Sequence, residues 1–124
     1  MDSLTHNMKT IAGEYVLIAG SFAPAGTGAV TDVKGAGFTV ARTGVGVYDV
    51  TLSEKYLALV AYTANVQRSA DADGDMKVVG ADTVASTKVV TLKHLVAGTA
   101  TEIAANAANR VHFTFVLRNT AITP

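Results

Sequence analysis

Residues 37–52, GFTVARTGVGVYDVTL, hold two alternating runs around a Gly-rich break. In FTVAR (38–42), Phe38, Val40 and Arg42 share one face. In VYDVTL (47–52), Tyr48, Val50 and Leu52 share one face, and Val47, Asp49 and Thr51 the other. Successive side chains of a strand point to opposite sides, so this alternation marks strands with one buried face. Two such runs joined by a short glycine-containing loop, TGVG, predict a β-hairpin.

The pattern recurs on either side of the hairpin. RVHFTFVLR (110–118) is the cleanest alternation in the chain: Val111, Phe113, Phe115 and Leu117 face one way, and Arg110, His112, Thr114, Val116 and Arg118 the other. EYVLIAGSF (14–22) differs. Tyr15, Leu17 and Ala19 lie on one face, Val16 and Ile18 on the other, and two apolar faces predict burial on both sides. APAGTGA then punctuates the chain, AVTDVK (29–34) reads as a short strand, and GAG allows a bulge or tight bend. YLALVAYTANVQ (56–67) fits a helix or a strand, and its β-branched and aromatic residues favour the strand. Residues 76–80 and 86–93 read as strands, 69–75 as a loop and 97–109 as an irregular connection. Seven or eight short strands predict an all-β fold. The expectation is a single compact sandwich or jelly-roll-like domain over residues 14–124, preceded by a short polar N-terminal arm at 1–13.

Composition narrows the function. The chain has 124 residues, one domain by length, and enough to bury a core. Ten basic residues balance ten acidic ones, so no basic stripe is available for phosphates and nucleic-acid binding is not expected. Only 16% of residues are charged, against about 25% in typical soluble domains. Low charge density with zero net charge favours association between copies. There are no cysteines, so disulfides and thiolate chemistry are excluded. The opening MDSLTHNMKT lacks the basic and apolar regions of a signal peptide, and no apolar run is long enough for a helical membrane span.

Candidate sites are few. DADGD (71–75) resembles part of a calcium loop, but its glycine is displaced and Asp82 stands where a bidentate Glu belongs, so a solvated turn is the stronger reading. His6, His94 and His112 are far apart and form no metal-binding pair. No serine sits in a nucleophile elbow, and the Gly-rich stretches lack the Lys-Ser/Thr of a phosphate loop. An enzyme, a metal centre and a cofactor are therefore not expected. Arg42, Arg110 and Arg118 are candidate interface residues, because arginine is enriched at interfaces, and His112 lies beside Arg110 on the polar face of its strand.

GFTVARTGVGVYDVTL, together with RVHFTFVLRNT (110–120), resembles segments of small virion proteins of tailed bacteriophages. That resemblance implies a capsid decoration or cement protein: a compact β-fold, often a homotrimer, on the outer capsid surface. It would be made in the host cytoplasm and would stabilise the shell by bridging major capsid protein subunits. The N-terminal arm would reach a neighbour. The alternative is a tail- or head-fibre module that binds a host-surface glycan; a small hydrolase comes third.

Overall fold

The computed structural model describes residues 15–72 and 74–119. The N-terminal arm, with His6, therefore lies outside the described residues. Nine strands follow one another: β1 (Tyr15–Ala25), β2 (Gly28–Gly35), β3 (Phe38–Gly44), β4 (Val47–Leu52), β5 (Ala58–Gln67), β6 (Asp75–Val79), β7 (Val89–Val96), β8 (Thr99–Ala100) and β9 (Arg110–Arg118). They form two antiparallel sheets. The first has the order β2-β1-β9-β5, and the second β3-β4-β7-β6 with β8 added to β7. The fold is an all-β sandwich.

The hairpin at 37–52 forms as its alternation predicts. Phe38 pairs with Leu52, Val40 with Val50 and Arg42 with Tyr48. The turn is Val45–Gly46, and Gly46 has a φ of 64°. A side chain there would also press on the backbone, its Cβ 2.5 Å from the Thr101 carbonyl oxygen, so only glycine serves.

β9 is the centre of the first sheet, paired to β1 on one side and β5 on the other. Val111, Phe113, Phe115 and Leu117 are buried facing the second sheet. They meet Phe22 and Ile18 from β1 and Tyr48, Val50, Leu52, Val90 and Leu92 from the second sheet. Each such burial contributes about 1.5–3 kcal/mol. Phe113 stacks on Phe115 at 4.8 Å and receives the edge of Phe38 at 5.0 Å. Phe38 starts the second sheet but reaches under the first. Its ring lies against Gly20 and Gly35, where no Cβ obstructs it. The Gly35–Gly37 corner is thus where the chain turns from one sheet to the other.

Several expectations need revision. β1 extends beyond residue 22 through Pro24 to Ala25. Its pairing with β9 ends at Phe22–Val111, and its ladder with β2 shifts register on both sides of Ala23, so the missing N–H of Pro24 falls in an irregular stretch. β7 starts at Val89, not 86. The amides of Ser86, Thr87 and Lys88 all turn to the Thr83 carbonyl. The ambiguous 56–67 is a strand from Ala58, but a bulge at Val60 breaks its alternation, leaving Leu59, Ala64 and Val66 inward and Val60, Ala61 and Thr63 outward. The chief departure is in β1: Ile18 is buried, whereas Leu17 is 66% exposed and Ala19 is exposed too. Among the described residues, β1 is covered on one side only.

Candidate functional site

Buried polar groups come first, since burial without partners is costly. Glu102 binds the Arg42 guanidinium through two nitrogens, with Arg42 Nε 3.0 Å from Oε2, and its Oε1 accepts the Gly46 amide at 2.9 Å. Both side chains are about one-fifth exposed. Hydrogen bonding to Arg42 holds the Glu102 carboxyl below its ordinary value, and the same bond raises Arg42. This pair ties the β3–β4 turn to the segment entering β9. Arg42 is thereby committed within its own chain, on the inward register of the second sheet beside Tyr48.

His94 is fully buried on β7. Its Nδ1 lies 2.7 Å from the Thr101 carbonyl oxygen and its Nε2 2.7 Å from Arg68 Nη2. Arginine only donates, so Nε2 accepts and Nδ1 carries the proton. Gly74, from the DADGD loop, packs directly over this pair, and a Cβ there would lie 2.6 Å from His94 Nε2. Of the calcium-like residues, Asp73 lies outside the described residues, and both Asp82 oxygens accept backbone amides, from Leu59 at 2.9 Å and Val84 at 3.1 Å. Asp82 also borders an open groove of about 300 Å³ with Leu59, Val78, Val84 and Val90. The acids and imidazole of these clusters hold backbone together.

The other three candidates fall together. Arg110, His112 and Arg118 occupy the outward register of β9, in the middle of the first sheet's outer face. Arg110 reaches across β1, donating to Ser21 Oγ at 2.8 Å and to Asp32 on β2 at 2.9 Å. Asp32 sits at φ 47°, in the irregular part of β2. His112 Nε2 is 2.7 Å from Gln67 Oε1 on β5.

Between these residues lies a plain surface. The register places Leu17, Val116 and the Val60–Ala61 bulge in one cross-strand row, and Ala19, Thr114 and Thr63 in the next. Leu17 and Val60 are 66% and 52% exposed. β1, β9 and β5 contain no Asp, Glu or Lys; their formal charges are Arg110 and Arg118 alone. The outer face of the second sheet is different, carrying Asp49, Lys93, Lys77 and Asp75 at outward positions. The first sheet's formal charges are Arg110, Arg118 and the β2 residues Asp32 and Lys34, which leaves the Leu17–Val116–Val60 row itself without an ionic group. Sequence reasoning put Arg110, His112 and Arg118 on the polar face of β9 as interface candidates and expected cover on both sides only for β1.

These features define a two-sheet antiparallel sandwich with an exposed apolar row, Leu17–Val116–Val60, on the outer face of its first sheet. No protein-family model, curated protein or solved structure matches the chain.

Proposed function

We propose that the chain is a structural assembly module of a virus particle, a capsid decoration protein that stabilises the shell by bridging major capsid subunits. The observation that carries the assembly reading is the outer face of the first sheet, where exposed Leu17 and Val60 lie among strands without carboxylate or lysine. Apolar surface left in water is disfavoured by about 25 cal/mol per Å², and covering it drives association. The capsid setting is supported by the resemblance of residues 37–52 and 110–120 to small phage virion proteins. Many modest contacts on a symmetric lattice would give high avidity.

The test is the copy number of the chain relative to the major shell protein, by quantitative mass spectrometry of purified virions. Stoichiometry comparable with the shell is the expected result. A few copies per particle would replace decoration with a tail or fibre role, and absence from virions would refute both.

A further inference from the structure

We propose that the exposed Leu17–Val116–Val60 row is the docking site of the chain's own residues 1–13, which cover it in the free protein and yield it to the shell on assembly. This rests on the assembly reading above and adds the control of that surface. It departs from the reach to a neighbour that the phage resemblance implies.

The segment joins the sandwich close to the row. Residues 1–14 lie outside the described residues and lead into Tyr15, whose Cα partner is Arg118 at the end of β9. Leu17 is two positions further on and shares the outward register of Tyr15, so the row is about 7 Å from the point of entry. The chain beyond β9 fits less well: residues 120–124, TAITP, carry one large apolar side chain, Ile122, for a row three strands wide.

The sequence of the segment matches the row in shape. Its large apolar residues are Met1, Leu4, Met8 and Ile11. At 100° per residue they fall within about 80° of one another, a narrow stripe of a helix, and Asp2, His6 and Lys9 fall on the far side. Gly13 follows the last of them, in the position where glycine commonly closes a helix and redirects the chain. From Ile11 to Leu4 is about 10.5 Å along such a helix, and from β1 to β5 across β9 is about 9.6 Å. Ile11, Met8 and Leu4 are thus in step with Leu17, Val116 and Val60.

Charge and tethering favour this occupant over a second copy of the face. The formal charges of β1, β9 and β5 are Arg110 and Arg118, so two such faces would bring like charges together. Residues 1–14 bring an apolar stripe without charge, and Glu14 stands directly before Tyr15, the residue opposite Arg118. A segment attached at Tyr15 also meets the row at an effective concentration of about millimolar, above that of a separate chain in dilute solution.

Disulfide trapping in the 124-residue chain, which has no cysteine of its own, tests the proposal. In Met8→Cys/Val116→Cys, mild oxidation should close a bond within one chain about tenfold faster than in Met8→Cys/Ala41→Cys, whose second thiol lies on the outer face of the other sheet. Adding Leu4→Asp and Ile11→Asp should bring the first rate down to the second. Equal rates in the two pairs, a rate untouched by the aspartates, or a bond formed only between chains would overturn the cover. The locked chain should bind purified shells lacking the protein about tenfold more weakly than its reduced form, and equal binding would overturn the hand-over. Two results separate all this from the decoration reading. Selective trapping in a chain absent from virions overturns only the decoration. Shell-like copy number without selective trapping overturns only the cover.

Discussion

Replacing Tyr48 by Phe should make this protein more stable. Tyr48 is completely buried, its ring tilted against Phe22 at 5.1 Å, and its hydroxyl lies near the Ile103 backbone amide but makes no hydrogen bond of ordinary geometry among the described residues. A buried hydroxyl left unpaired costs about 1–3 kcal/mol. Phenylalanine keeps the ring and removes the orphan oxygen. The void left, about 10–15 Å³, costs about 0.3 kcal/mol at ~24 cal/mol per Å³. The net expectation is a gain of about 1–2 kcal/mol, or about 3–8 °C in Tm for a chain of this length. Urea denaturation followed by circular dichroism measures it directly. The alkaline limb gives a second readout. Burial, first, and the Glu102 carboxylate push the Tyr48 hydroxyl above its ordinary value of 10.0, against a weaker pull from the Ile103 backbone and Arg42. In the unfolded chain Tyr48 ionises near 10.0, while in the folded chain it stays neutral to higher pH. Its contribution is therefore intact below pH 10 and is lost as pH climbs towards the folded value. Tyr48→Phe should flatten that loss, leaving the part due to Tyr56, which burial raises likewise. A variant less stable than the parent by 1 kcal/mol or more would refute the reasoning, because the hydroxyl would then have a partner such as an internal water.

Three further outcomes follow from the packing. Because Arg42 holds Glu102 below its ordinary 4.5, the stability from that carboxylate is present above pH 4.5 and is lost as pH falls through the lower folded value. Glu102→Gln should lower the urea midpoint at pH 7 and flatten the acid limb, and an unchanged acid limb would dissolve the link. Long-range ¹H–¹⁵N spectra at neutral pH should show His94 as the Nδ1–H tautomer, and His94→Leu should cost about 1–3 kcal/mol by stranding the Thr101 carbonyl; an Nε2–H signature would contradict the Arg68 contact. Gly20→Ala should cost about 1–3 kcal/mol in urea melts, since the new methyl would overlap the Phe38 ring and sit 2.9 Å from the Lys34 carbonyl oxygen. A neutral result would place Phe38 elsewhere.

The strands most legible in the sequence are those with one dry and one wet face. VYDVTL and RVHFTFVLR form strands with the predicted bounds and the predicted inward residues, because alternation directly reports a boundary between core and solvent. Periodicity carries no such information about contacts distant in sequence. Glu102 lies in a stretch of small residues that predicts only an irregular connection, yet it joins Arg42, sixty residues earlier, to the Gly46 amide. Nothing local to ATEIAA signals that bond. The same is true of Arg68 and His94, brought together by β7 and the chain that follows β5. Arg42, Arg110, His112 and Arg118 look alike as strand polar residues. Register separates them, placing the last three on one outer face and the first against the core.

β1 shows a more instructive limit. Its two apolar faces predict cover on both sides, and the described residues cover Ile18 but not Leu17. The inference from pattern to dryness need not be at fault. An apolar strand face does not record whether a surface that covers it belongs to the same chain. Here the neighbours of Leu17 in the sheet, Val116 and Val60, share its character, and β1, β9 and β5 carry no lysine or carboxylate. The coincidence of an exposed apolar row with strands that carry no carboxylate or lysine is what turns a misplaced core prediction into an argument for a second surface meeting the first.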